Sequence, residues 1–366
     1  MKKEKKKSTF GLMGALLINS ILYMFLNTFM VAYFITLTNY DYSKISMYYI
    51  LSFLGILLTF LFFGKIVKNK HQVLVFRSGI FLYCMYILLI AFLKEKIVLY
   101  FAPLGFFYGI VQGLFWIAAH VLINEHTKQK TNAFISFKSI LEVVLQFLCS
   151  FFIEDQAKTY KKSYNLKEYI TYVREKKQFQ TVYQLFACDG IVNYLLDTLI
   201  TILIVITFRS SLSLGILNTI ASLCSIVSVY IFGYKWKSNP KILSISSFIF
   251  LFSVIFLIFN LNKGTILLYH FSSAIFLVLL RNAGDTKRYE IVNEDLKIEK
   301  DYLVEHQVIC EVYLNISRIL GYFILFIVSL FHQIIFFKLL LAFVTGIVIL
   351  YAQKLIWLKK KEVVRS

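Results

Sequence analysis

Residues 154–186 read EDQAKTYKKSYNLKEYITYVREKKQFQTVYQLF, and this stretch divides the chain. It carries seven basic residues, Lys158, Lys161, Lys162, Lys167, Arg174, Lys176 and Lys177. Long apolar runs dominate the sequence on either side. A run of ~20 apolar residues crosses ~30 Å of hydrocarbon as a helix, whereas a spanning β-strand is ~10 residues of alternating pattern. These runs are continuously apolar, so the expected class is all-α, a polytopic membrane helix bundle. Basic residues beside spans stay on the cytoplasmic side. Residues 154–186 therefore read as a basic cytoplasmic connector between an N-terminal half, 1–153, and a C-terminal half, 187–366.

Composition narrows the function classes. The 366-residue chain is 59% hydrophobic and 16% charged, against about 25% charged for a soluble domain. A net charge of +19 would suggest nucleic acid in a soluble protein. Here the charges sit in short segments beside apolar runs, where orientation in the membrane explains them. The expected partner is the lipid bilayer, with no role for nucleic acid. The five cysteines, Cys84, Cys149, Cys188, Cys224 and Cys310, contain no C-x-x-C pair, so no metal or disulfide framework follows. Phosphate-binding, hydrolase, zinc-protease and dinucleotide motifs are absent. Neither an enzyme activity nor a cofactor is expected.

The apolar runs predict about eleven spans. Five precede the connector, at 10–37, 45–63, 73–93, 98–123 and 133–153. Six follow it, at 187–208, 212–232, 242–259, 266–280, 308–331 and 334–356. In the first half, eleven Lys and Arg fall on one side and three, Lys44, Lys94 and Lys96, on the other; in the second, twenty and three. Both halves place the connector and both termini in the cytoplasm of a bacterial cell, across its inner membrane. Five spans that start inside finish outside, however. Either 133–153 does not fully cross, or a sixth span is missing. That segment carries Lys138, Glu142 and Gln146 on one helical face, suited to the bundle interior or to the interface. The charged connection 281–307 alternates acid and base and reads as a solvated helix pair, not a site.

The halves echo each other in Gly64 followed by Lys68 and Gly233 followed by Lys237. With this layout, and with Glu311, Asn315, Arg318 and Gly321 in EVYLNISRILGY, the chain resembles the major facilitator superfamily. The resemblance implies two six-helix halves that alternate access to a central site. Matched to that plan, the chain lacks the equivalent of the sixth transmembrane helix. The family commonly has Asp four residues after the loop Gly. Lys68 and Lys237 stand there, so the relay role of that Asp does not carry over.

Polar groups inside spans are the candidate transport path. Asn19 and Asn27 share a face, as do Gln112, Trp116 and His120; with Asn193 they are candidates to line a solute cavity, or to bond between helices. His120 is also a candidate proton site. Asp197, with Asp189 and Glu142, is a candidate for ion coupling. Glu311, Asn315 and Arg318 share a face and read as a structural or gating clasp, as do the Gly64–Lys68 and Gly233–Lys237 loops. The expected function is secondary transport of a small or amphipathic solute, coupled to protons. The alternative is a non-transporting immunity, sensor or assembly factor on a degenerate transporter fold, favoured by the missing helix and the absent loop Asp.

Overall fold

A computed structural model describes residues 41–126 (apart from 70), 163–208, 240–294 and 301–363 (apart from 332), with single positions within 34–38 and 217–228. Its helices, numbered along the described residues, are α1 (Tyr42–Lys68), α2 (Gln72–Leu93), α3 (Phe101–His126), α4 (Leu166–Arg174), α5 (Lys177–Phe208), α6 (Pro240–Phe259), α7 (Lys263–Glu294), α8 (Leu303–Leu330) and α9 (Ile334–Val363). A 3-10 segment, Lys94–Tyr100, joins α2 to α3. All except α4 are long and apolar enough to cross a membrane, which makes eight candidate spans among the described residues. Of the eleven predicted, those at 10–37, 133–153 and 212–232 lie wholly or largely outside the described residues.

Local chemistry sets the helix starts. Asp41 caps α1, its carboxylate accepting from the Ser43 N–H at 3.1 Å. Asn165 caps α4 by accepting from the Glu168 N–H at 3.2 Å, and Glu168 adds a negative charge to the first turn, where the helix dipole favours it. Before α7, Asn262 and Thr265 cap each other reciprocally, at 2.9 and 3.1 Å. Large apolar side chains face outward, as lipid requires. On α6, Phe248, Phe252, Phe256 and Phe259 form one exposed face.

Packing between α1 and α3 rests on small residues. Gly105, Gly109 and Gly113 recur every fourth position on α3, so the backbones approach closely, an arrangement favoured where lipid supplies no hydrophobic drive between helices. A Cβ built on Gly109 would lie 2.0 Å from the Ser52 carbonyl oxygen. Gly109→Ala is therefore expected to push the two helices apart at a cost of about 1–3 kcal/mol. Gly346→Ala, which meets nothing within 4 Å, is expected to be neutral. Thermal melts of the two variants in detergent check the contrast.

The two halves meet where α1 packs on α8. Tyr49 and Phe53 lie against Tyr322, with ring centroids 4.7 and 5.5 Å apart. At the Lys68 end of the bundle, Lys68 pairs with Glu305, both fully buried. Lys68 also donates to the Asp301 carbonyl at 2.9 Å, and the Asn165 N–H donates to Glu305 at 2.9 Å. A Cβ on Gly64 would meet the Tyr164 hydroxyl at 2.7 Å, so a bare backbone there lets the segment before α4 close over α1.

Two segments differ from the sequence reading. The helix expected from residue 187 starts at Lys177, because Phe179, Val182, Tyr183 and Leu185 bury a face of it before the apolar run begins. Together with Tyr169 and Val173 of α4, the first three form a satellite core with Ile291, Tyr302, Leu303 and Cys310. The connector's second part is thus a docked helix of nine residues, and no span lies between 163 and 176. The stretch 281–307 is helical at both ends, as expected of a helix pair, but it is not a solvated one. Helix α7 continues to Glu294 and α8 begins at Leu303, with Lys287, Arg288, Glu305 and His306 all buried. Those four side chains lie among protein, not in water.

Candidate functional site

A cavity of about 170 Å³ lies between the halves, lined by α1, α3, α5, α7 and α8. The face predicted on α3 enters it whole. Gln112 accepts from the Trp116 indole N–H at 3.2 Å, and the Trp116 ring stacks on His120 at 5.3 Å. From α8 come Glu311 and Arg318. Asn315 links these two, donating to the Glu311 carboxylate at 2.9 Å and accepting from Arg318 at 3.2 Å. His120 Nε2 lies 3.3 Å from the Glu311 carboxylate. This contact joins the first half to the second across the cavity.

Helices α5 and α7 supply a second charged group. Arg288 lies 3.4 Å from Asp189 and pairs more closely with Asp285, three residues before it on α7. Its guanidinium also lies over the Phe186 ring, 4.3 Å from the centroid. Two carboxylates around one guanidinium offset the cost of burying it. The remaining wall is largely aromatic, with Tyr49, Phe53, Tyr108 and Tyr194.

The structure therefore brings Gln112, Trp116, His120, Asp189, Glu311 and Arg318 to one cavity. Asn315 is buried behind the last two. Asp197 does not line the cavity; it lies exposed on α5, close enough to Arg281 of α7 to interact electrostatically. Gly64 and Lys68 sit at the contact between the halves, away from the cavity. Asn193 falls on α5, but its side chain lies outside the described residues, as do Asn19, Asn27, Glu142, Gly233 and Lys237. Sequence reasoning missed Arg288 and Asp285. Their opposite charges at i, i+3 were a usable signal, hidden because that stretch was read as a solvated helix pair and not a site.

Below the cavity, at the Lys68 end, Tyr169 of α4 hydrogen-bonds His306 Nδ1 at 2.7 Å and also meets the Tyr183 hydroxyl. Burial, followed by the neighbouring Tyr183, pushes the Tyr169 hydroxyl well above the usual phenol range, so it stays protonated. Tyr302 donates to Glu168 at 2.6 Å. These contacts fasten the connector helix to the end of the bundle where Lys68 and Glu305 join the halves.

Two packed helical halves surround a polar cavity, and in fold this arrangement is shared with solved membrane transporters. No protein-family model and no curated protein matches the chain. Among solved structures, it is similar to a bacterial homologue of the iron transporter ferroportin in an outward-facing state. The TM-score is 0.63 at 12% identity, covering 98% of this chain and 99% of that one. A second crystal structure of a bacterial ferroportin homologue, outward-facing with soaked iron, gives 0.57 at 13% identity, covering 96% and 98%. The human organic anion transporter MFSD10 (TETRAN) gives 0.51 at 12% identity, covering 96% and 99%. At these identities the likeness is one of fold. These neighbours are transporters, not enzymes.

Proposed function

We propose that this protein is a secondary active transporter of the bacterial inner membrane that moves a small or amphipathic solute by alternating access, coupled to protons. The observation that carries the reading is the cavity itself. Charged and aromatic side chains from both halves surround a space in the membrane-spanning part of the bundle, where such groups are costly unless they serve a path. The basic connector and termini lie on the cytoplasmic side in this reading, so the Lys68–Glu305 pair closes the cytoplasmic end.

Proton coupling is assigned to the His120–Glu311 contact. The two groups come from opposite halves, so their charge state bears directly on whether the halves attract. A proton taken up by the pair turns a lone carboxylate into a neutral ion pair, which changes what the cavity can hold beside it. Asp189, already beside Arg288, supports the same site by keeping that guanidinium compensated.

Proteoliposomes loaded with buffer and bathed in a bacterial metabolite extract test the reading. At least one solute is expected to accumulate only in vesicles that contain the protein, and only while a pH gradient stands. Identical vesicle contents with and without the protein would count against transport and for the non-transporting alternative.

A further inference from the structure

Among the described residues, Arg318 is a buried cation with no carboxylate in hydrogen-bond contact. It is 9% exposed and lines the cavity. Among the described residues its Nη1 donates to Asn315 at 3.2 Å, while its Nε, buried, has no hydrogen-bond partner. The Tyr194 and Phe53 rings lie 4.2 and 5.2 Å from the guanidinium carbon. The other charged side chains of the cavity are matched. Asp189 and Asp285 share Arg288, and Glu311 directs its oxygens to His120 and Asn315. Glu311 is near enough to feel the charge of Arg318, but Asn315 stands between them.

A guanidinium held this way, largely out of water and with no carboxylate in direct contact, is unfavourable by several kcal/mol unless a partner arrives. With Nη1 occupied by Asn315 and Nε without a partner among the described residues, the edge formed by Nε and Nη2 is the one left for a ligand. Two parallel N–H groups on that edge match the two oxygens of a carboxylate. Lysine could not offer this fork. Around it the wall is aromatic, which suits a flat apolar body. A cavity of about 150 Å³ lined by apolar side chains admits benzene, so the 170 Å³ here limits that body to about one ring. Asp189, Asp285 and Glu311 would repel a second negative charge.

We propose that Arg318 is the anion-recognition residue of this cavity and that its ligand is a small monocarboxylate with an apolar or aromatic body. This deepens the transport reading, and rests on it for taking the cavity as the solute site. The ligand carboxylate accepts from Nε and Nη2, and its body lies among Phe53, Tyr194 and Tyr49.

Binding to the purified full-length protein in detergent tests this, read by quenching of tryptophan fluorescence and by shift of the thermal midpoint. Benzoate, benzamide and benzylammonium share a ring and differ in charge. A charge-assisted fork contributes about 1.5–3 kcal/mol, so benzoate is expected to bind roughly 10- to 100-fold tighter than benzamide, and benzylammonium weakest. Arg318→Lys is expected to weaken benzoate about tenfold, and Arg318→Gln to erase the preference over benzamide. The proposal is overturned if benzoate shows no saturable binding, if it binds no tighter than benzamide, or if Arg318→Gln keeps the wild-type affinity. Should Arg318→Gln not fold, the ranking on the wild type and on Arg318→Lys still decides. Failure of transport in vesicles leaves this ranking untouched. A reversed ranking beside intact transport would mean that the solute is not an anion.

Discussion

Lys68→Ala is expected to release the end of the bundle where the two halves are tied. Removing one member of a buried ion pair leaves the other uncompensated, at a cost of about 3–5 kcal/mol. Glu305 would retain the Asn165 N–H but lose its cation, and its second carboxylate oxygen already has no partner. Unfolding is not the cheapest relief. Separation of α1 from α8 at this end would let water reach Glu305, so the penalty appears as a shift toward a conformation open there. At about 1.4 kcal/mol per decade, that shift reaches two to three orders of magnitude. The thermal midpoint in detergent is expected to fall as well. The double variant Lys68→Met, Glu305→Leu is expected to recover it, because an apolar pair of similar size removes both buried charges. A double variant as unstable as Lys68→Ala would show that packing, and not charge, governs this contact.

Glu311→Gln is expected to uncouple transport from the proton gradient. Gln keeps the size of the side chain and an oxygen for the Asn315 amide, which donates at 2.9 Å in the wild type, but it cannot ionise. The contact with His120 then loses its charge dependence. Accumulation against a concentration gradient in proteoliposomes is expected to fall at least roughly 100-fold, in line with the loss of an acid–base group. Exchange of labelled for unlabelled solute at equal concentrations, which needs no net proton movement, is expected to stay within a few-fold of wild type. Intact gradient-driven accumulation in Glu311→Gln would move the coupling to another acid, with Asp189, Asp197 and Glu142 the remaining candidates.

Much of this architecture is written in the order of residues. Continuous apolar runs and basic loops lead to an all-helical membrane bundle, because lipid tolerates few other solutions. The fourfold spacing of Gln112, Trp116 and His120, and the similar spacing of Glu311, Asn315 and Arg318, indicate two helical faces. The structure turns both into one cavity. The pairing of His120 with Glu311 was not legible, since no local rule links positions so far apart. Lys68 and Glu305, 237 residues apart, pose the same difficulty.

Arg288 was misplaced for a different reason. Hydropathy marks a helix as finished where charge begins, but α7 runs on beyond that point and buries Lys287 and Arg288 in protein. Gly105, Gly109 and Gly113 were not singled out in the sequence. Their meaning depends on α1 lying across them.

In a transporter that works by alternating access, the cavity opens to each side of the membrane in turn. Ile56, which lines the cavity from α1, offers the most direct test as a single cysteine, Ile56→Cys, with the five native cysteines replaced. An impermeant maleimide is applied to sealed right-side-out and inside-out vesicles. Labelling is expected from both faces, with Lys68→Ala raising the rate from the cytoplasmic face and lowering it from the other. Labelling from one face alone, unchanged by Lys68→Ala, would contradict alternating access and leave a helix bundle whose halves do not move.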